Sequence, residues 1–532
     1  MPFFSIFSVA SLKRRLMNSA PFFAPYTSSL TLTRGTGVTT HTRATDQTFT
    51  DHEGVLRTAP SGVIAVEGGR MVRNLLAGTT TLATQNVTTV AGDYTLSFSG
   101  TGSVALSGTV TDNLAGTGAN DRVQKTVTAT AGTLTLTVTG SVTSAQLEDV
   151  TGQSIQTAGE YVSVGVLSDP WHGAGADGVQ FFDTDLSGNP LTPDGIAIWP
   201  AATNLFTYSQ DTTNAAWAKD ANASVAINAV APDGTTTGTT VTQAVAGAFS
   251  IYRAAAVSDC TVTNTVSIFV KAGTLPTITF RMNRFGDGTN YVEVPITTAT
   301  GALGAVVNAG NASGGSATTK AAGNGWYRIT LSGIASATAG GIGIGISVAA
   351  TGTFLMWQGD AVVGALAGPP IPTTTAAVAR NAGILSTPTS GNITAAAGTI
   401  AFEFTPGHAS SGTVYLWGSY VDANNGTYLL HDATNLIFRQ RIAGVDTDAT
   451  IALAFVSGTT YSGAFAWGAD GQKIAVDATL GTPHANTTAA QIAATMQLGS
   501  DGNGANQAGM AFKMNYILQR QASDSEMVAM TA

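Results

Sequence analysis

The sequence predicts an all-β chain built as tandem antiparallel β-sandwiches. Three observations lead there. Period-two alternation recurs along the chain, as in "YTLSFSG" (94–100), "TLTLTVTGSV" (133–142), "TVSIFVKAG" (265–273), "YVEVPI" (291–296) and "TIAFEF" (399–404), while helical periodicity is scarce. Each run is bounded by Gly, Asn, Asp or Pro, the punctuation of short strands joined by tight turns. The composition agrees: 44% of residues are hydrophobic, only 10% are charged and 62 are glycine, which supports packed cores and argues against disorder. A length of 532 residues exceeds one ordinary domain and makes three or so modules the natural expectation.

The N-terminus places Lys13, Arg14 and Arg15 after its apolar run, the reverse of a secretory leader. Residues 1–30 therefore read as an apolar docking segment, or equally as a first element packed on its own domain. Residues 31–75 follow as a hairpin lead-in and 76–152 as a small β-sandwich. Residues 153–202 form a second lead-in, 203–372 a larger sandwich, 373–383 a Pro/Thr/Ala-rich linker, and 384–532 a third sandwich. An internal repeat supports this division. "VRNLLAGTTTLATQN" (72–86) and "ATNLFTYSQDTTNAAW" (202–217) both place Asn-Leu at a strand start before a Thr-rich segment. "SVTSAQLEDVTG" (141–152) follows the first, and "TFLMWQGDAVVGAL" (353–366) follows the second at greater distance. The chain ends in a short helix, "SDSEMVAM" (523–530), opened by a capping box of Ser523 and Glu526.

Composition also excludes partners. A formal charge of −9 without clustered Lys and Arg argues against nucleic acid. No apolar run approaches the roughly twenty residues of a membrane span. Cys260 is the single cysteine, so no intrachain disulfide can form and stability rests on core size or oligomerisation.

Together, "TNLFTYSQDTTNAAW", "SIFVKAGT", "NGWYRITLSG" and the closing "WQGDAVVGA…PPIPTT" resemble the carbohydrate-binding-module-like jelly rolls of tailed-bacteriophage structural proteins, with a lead-in similar to "RATDQTFTDHEGVL". Residues 384–532, through "GTIAFEF", "ATMQLGSDGNG" and "SDSEMVAM", resemble a concanavalin A-like, laminin-G-like sandwich. Residues 76–152 lack the Trp-Tyr-Arg strand and are at most a reduced relative. The resemblance implies a virion component: a tail fibre or appendage subunit, a tail spike, or a capsid decoration protein. It also implies a homo-oligomer bound to other virion proteins through its N-terminal part, with host surface polysaccharide as a partner.

Catalytic signatures are lacking: no His-Glu-x-x-His, Gly-x-Ser-x-Gly, P-loop or dinucleotide fingerprint occurs, and no glycosidase carboxylate pair stands out. The expectation is a binding protein and not an enzyme. Calcium is the one cofactor left open. In "DTDLSGNPLTPD" (183–194), Asp183, Asp185 and Ser187 hold the first, third and fifth positions of a calcium loop and Asp194 the twelfth. Pro190 and Pro193 interrupt it, and an Asp/Gly/Asn hairpin turn accounts for the same residues. Asp501 in "GSDGNGAN" is a second, thinner candidate.

Sugar binding asks for exposed aromatic faces flanked by groups that hold hydroxyls. "FRMNRFGDGTNY" (280–291) supplies Arg281, Asn283, Arg284, Asp287 and Tyr291 around a Gly turn, on a loop between two strands. The strand "WYRITLSG" adds Trp326 and Arg328. Its Ile329 and Leu331 mark the core side, so Tyr327 points inward and Trp326 and Arg328 lie on the other face, toward solvent, a ligand groove or a neighbouring subunit. Trp217 and Trp357 are expected in the core.

Overall fold

The computed structural model describes residues 9–165, 177–246, 249–255, 259–410 and 412–532. They form three two-layer antiparallel sandwiches, as the alternation requires. In the first, strands Gln85–Thr89, Ser103–Gly108, Asp112–Ala115 and Gly132–Thr139 face Gly92–Gly100, Gly118–Ala129 and Val142–Asp149. Leu134 and Leu136 of the "TLTLTVT" run pack inward on Leu96 and Phe98.

The middle sandwich opposes a six-stranded and a seven-stranded sheet. The first has the order Ala223–Ala229, Gly238–Gln243, Gly352–Val363, Asn264–Ala272, Trp326–Ile334, Ser313–Ala321. The second runs Trp217–Lys219, Phe249–Ala255, Ile342–Ser347, Thr277–Arg284, Tyr291–Thr297, with Ala302–Leu303 and Val307–Ala309 both on the last strand. Its core joins Val266, Ile268, Phe280, Val294, Ile329 and Leu331, with Trp217 at 1% exposure.

The C-terminal sandwich draws strands from far outside residues 384–532. Phe22–Pro25 and Gly195–Ile198 both pair with Met510–Leu518, and Val66–Glu67 pairs with Gly195–Ile198. In the opposing sheet Thr40–Thr42 pairs with Ile384–Pro388. Segments the sequence assigns to the lead-ins 31–75 and 153–202 thus supply strands of this third sandwich, and the other two sandwiches are excursions between its strands. Alternation identifies a strand but does not say which sheet, hundreds of residues away, will hydrogen-bond to it.

The internal repeat is a matched clasp at the neck of each excursion. Asn74 Nδ2 donates to Ala145 O (2.9 Å) and Val162 O (2.8 Å), while its Oδ1 accepts from Leu76 N (3.1 Å) and Leu147 N (3.2 Å). Asn204 Nδ2 donates to Gly359 O (3.1 Å) and Ile371 O (2.8 Å), and its Oδ1 accepts from Phe206 N (3.1 Å) and Ala361 N (3.0 Å). Leu75 N and Leu205 N bond to Leu147 O and Ala361 O in the same way. Ser144 and Gln358, each just before the clasped segment, share a left-handed backbone, with φ of 48° and 47°. Asparagine suits the position because one small amide can satisfy two buried N–H groups and two carbonyls at once.

The amphipathic helix Val9–Ser19 docks on its own chain: Leu16 and Ala20 pack with Met527 and Met530 over Ala464 and Tyr516. Lys13 Nζ donates to Ala532 O (2.9 Å) and faces Glu403 (3.3 Å). Residues 1–8 of the expected docking segment lie outside the described residues. The C-terminal helix Asp524–Thr531 carries the capping box of Ser523 and Glu526. Among the described residues no helix is long and apolar enough to cross a membrane.

Candidate functional site

The hairpin Thr277–Arg284/Tyr291–Thr297 alternates cleanly. Ile278, Phe280 and Met282 enter the core with Val292, Val294 and Ile296, which leaves Arg281, Asn283, Tyr291 and Glu293 on the outer face of the seven-stranded sheet. Arg281 stands directly opposite Glu293 and pairs with it through Nε (2.8 Å) and Nη2 (2.6 Å). The guanidinium carbon lies 3.6 Å from the Tyr291 ring centroid and 4.8 Å from that of Phe249. A cation between two aromatic rings is held firmly, and here both rings and the cation line one row.

The next strand, Ile342–Ser347, explains how Phe249 reaches across it. Ile342, Ile344 and Ile346 point inward, and the outer positions between them are glycines. Gly345 sits between Arg281 and Tyr252, and Gly343 between Asn283 and Ala254. A Cβ on Gly345 would stand 2.8 Å from the Phe249 ring, and one on Gly343 would stand 3.5 Å from Phe285. Two aromatic rings therefore lean over two bare backbone positions. Tyr252 and Phe285 are 41% and 53% exposed, unusual for rings of this size. The result is a shallow strip on an open sheet face, aromatic at Phe249, Tyr252, Phe285 and Tyr291, with Arg281, Glu293 and Asn283 as its polar groups.

Sequence reasoning named Arg281, Asn283 and Tyr291 and missed Phe249, Phe285, Glu293 and the glycines. The alternating "GIGIGIS" (341–347) was the available signal, since a strand with one bare face invites close approach. Phe249 and Tyr252 are three residues apart and by strict alternation would face opposite sides. A register shift between Phe249 and Ile251 puts both outside.

The remaining residues of that loop serve the loop. Asp287 accepts from Asn290 Nδ2 (2.6 Å), Thr289 Oγ1 (2.7 Å) and Thr289 N (2.8 Å), and these bonds hold its carboxyl well below the usual carboxylate range. Asn283 Nδ2 donates to Arg284 O and Asp287 O, and Arg284 Nε donates to Ala339 O (3.0 Å). Asp287, and Arg284 through its Nε, therefore shape the turn.

Trp326 and Arg328 take the face that alternation gave them, but distant segments of chain pack over both. Trp326 has 0% exposure, packs with Phe269, Trp357, Ala231 and Ala322, and donates Nε1–H to Val230 O (3.0 Å). A sugar platform needs an open ring face, so the platform expectation for Trp326 is corrected. A second small core forms here because chain from the 230s wraps the outside of the sheet. Arg328 lies under the Pro369–Pro370 crossover, donating to Gly368 O and Ser267 Oγ (2.9 Å) and facing Asp360 (3.5 Å). Burial pushes the Arg328 guanidinium pKa down and the Asp360 carboxyl pKa up.

Of the two readings left open for "DTDLSGNPLTPD", the structure shows the hairpin turn. Asp185 Oδ1 accepts from Ser187 N (2.8 Å) and Asn189 N (2.8 Å), and Oδ2 accepts from Asn189 Nδ2 (2.8 Å), so its carboxylate closes a turn. Asp183 takes part through its backbone, accepting from Leu191 N (2.7 Å). Asp194 is partly buried away from that turn, near Lys320 and Glu67. Among the described residues no group of three or more His, Cys, Asp or Glu side chains could hold a metal ion. Asp501 likewise caps its own loop, through Asn503 N, Ala505 N and Asn506 Nδ2.

No protein-family model matches the chain, and no curated protein is similar to it in sequence. Among solved structures, part of the chain is similar to botulinum neurotoxin type C, whose cell entry depends on interaction with two ganglioside molecules. That match has 11% identity over 28% of this chain and 39% of the toxin chain, with a TM-score of 0.23. Domain 4 of an extracellular arabinanase from Geobacillus stearothermophilus, in complex with arabinotriose, matches at 12% identity over 28% of this chain and 73% of that one, TM-score 0.25. The CBM40 of a Ruminococcus gnavus sialidase matches at 14% identity over 26% and 84%, TM-score 0.23. Likeness at this level carries no statement about what this chain binds.

Proposed function

We propose that the chain is a virion attachment protein of a tailed bacteriophage, a tail-fibre or appendage subunit whose middle sandwich holds host surface polysaccharide on the strip described above. It acts by binding and not by catalysis. The observation that carries the reading is the row Tyr252, Phe249, Arg281 and Tyr291 lying across Gly345 on an exposed sheet face. Aromatic faces take the C–H surface of a pyranose, while Arg281, Glu293 and Asn283 offer donors and acceptors to its hydroxyls. The order of motifs from "TNLFTYSQ" to "PPIPTT" supports the phage assignment. A shallow strip binds weakly alone, and repetition of the subunit at symmetric positions of a particle multiplies that affinity.

The test is a glycan array probed with the full chain, followed by titration of any sugar captured. Tyr252→Ala and Arg281→Ala should each weaken binding about tenfold or more, equivalent to roughly 1.4 kcal/mol, with the melting temperature nearly unchanged for Tyr252→Ala. Capture that both variants leave intact overturns the strip. Imaging of the particle tests the second half: subunits on the capsid instead of the tail overturn the appendage assignment.

A further inference from the structure

A concave site lies on the opposite side of the middle sandwich, where its six-stranded sheet meets the hairpin Gln47–Thr50/Leu56–Ala59 and residues 407–410 of the C-terminal sandwich. The cleft holds about 570 Å³, within the range of small-molecule sites. Its floor is a ladder across two paired strands, Ser313–Ala321 and Trp326–Ile334. Ser316 stands opposite Ser332, Thr318 opposite Thr330 and Lys320 opposite Arg328, and all six side chains line the cleft. Its walls are apolar: Leu56, Phe269, Pro369, Pro370 and Trp199. Trp199 is 8% exposed, and its indole N–H has no partner among the described residues.

The charges in the cleft are already matched. Lys320 lies 3.3 Å from Glu67, and Arg328 lies 3.5 Å from Asp360. His408 also lines the cleft, but both its ring nitrogens face backbone carbonyls, Ala409 O at 2.6 Å and Ala508 O at 2.8 Å. An anionic ligand would find no cation to spare, and a purely apolar one would leave the hydroxyl ladder without partners, which is costly. A neutral ligand bearing hydroxyls suits both.

We propose that this cleft binds a short neutral saccharide of one or two rings, with the Ser/Thr ladder exchanging hydrogen bonds with its hydroxyls and the Trp199/Pro369/Pro370 wall covering its apolar edge. The site is separate from the outer-face strip. In a host-attachment protein it would engage a terminal or branch sugar while the strip engages the chain.

Saturation-transfer NMR on the full chain, with cellobiose, maltose, lactose, trehalose and N-acetylneuraminate as probes at millimolar concentration, tests this. At least one neutral sugar should receive saturation from the wild-type protein, and N-acetylneuraminate should not compete with it. Thr318→Ala/Thr330→Ala should weaken that signal about tenfold, and Thr330→Trp, which fills the cleft, should abolish it. The Tyr252→Ala chain, in which the strip is disabled, should still show a neutral-sugar signal, and Thr318→Ala/Thr330→Ala made in that chain should weaken it. The double alanine variant keeps the test decisive if the tryptophan variant fails to fold. Absence of transfer to every neutral sugar, a preference for N-acetylneuraminate, or a signal that both cleft variants leave intact overturns the proposal. Loss on Tyr252→Ala alone overturns it too, while upholding the strip.

Discussion

Trp326→Ala separates a core tryptophan from a binding one. The indole is wholly buried against Phe269 and Trp357 and donates to Val230 O. Truncating a buried Trp costs about 3–5 kcal/mol in lost contacts and cavity, and the orphaned carbonyl adds roughly 1 kcal/mol. A unit the size of the middle sandwich loses about 2–4 °C per kcal/mol, so its transition should fall by on the order of 10–20 °C. Three sandwiches in one chain need not melt together, so scanning calorimetry on the full chain is the assay, following the transition that moves. Below the new transition, binding to any captured glycan should match wild type. Tyr252→Ala should behave oppositely, with a stability change within about 0.5 kcal/mol and impaired binding. If Trp326→Ala left the melting profile in place and removed glycan binding, the assignment of Trp326 to a covered core would be refuted.

The clasp makes two parallel predictions. Asn204→Ala strands two buried N–H donors and two carbonyls and also removes a 2.8 Å bond to Asp360. With each stranded group costing about 1–3 kcal/mol before water or relaxation relieves it, a loss of roughly 3–5 kcal/mol is expected in the middle-sandwich transition. Asn74→Ala should do the same to the small sandwich and leave the middle one in place; calorimetry that shows both variants moving one shared transition would contradict two separate necks. His41 sets an acid limit. Burial, aided by the Arg43 charge, pushes its pKa from 6.5 down to about 4. Between those values the unfolded chain binds the proton that the folded chain refuses. The associated stability is therefore present above pH 6.5 and lost as pH falls toward 4, by about 3 kcal/mol at 1.36 kcal/mol per unit. His41→Gln should flatten that part of the pH profile, measured as the difference in stability between variant and wild type; an unchanged slope would show that His41 does not carry it.

The Trp-Tyr-Arg strand shows how far residues alone reach. Period-two alternation in "WYRITLSG" assigned Ile329 and Leu331 to the core and Trp326 and Arg328 to the opposite face, and the structure agrees. Covering those two side chains took chain from the 230s and the Pro369–Pro370 crossover, distant segments with no mark in the strand itself. The "FRMNRFGDGTNY" hairpin is the reverse case. Its outward residues were legible, but their aromatic neighbours Phe249 and Tyr252 come from another strand whose register shift turns both rings outward.

By itself the sequence determined the all-β class, the faces of its strands, the capped C-terminal helix and the paired Asn-Leu sites at 74–75 and 204–205. Each is a local property, written in side-chain period, turn residues or capping chemistry within a few positions. Tertiary structure alone decided that short strands near residues 22, 40, 66 and 195 complete the C-terminal sandwich, that Trp326 is enclosed, and that two candidate binding surfaces exist. Each of those depends on backbone pairing or packing between segments far apart in the chain. Hydrogen-bonding groups on a strand edge are the same for every partner, so only the folded chain selects among them.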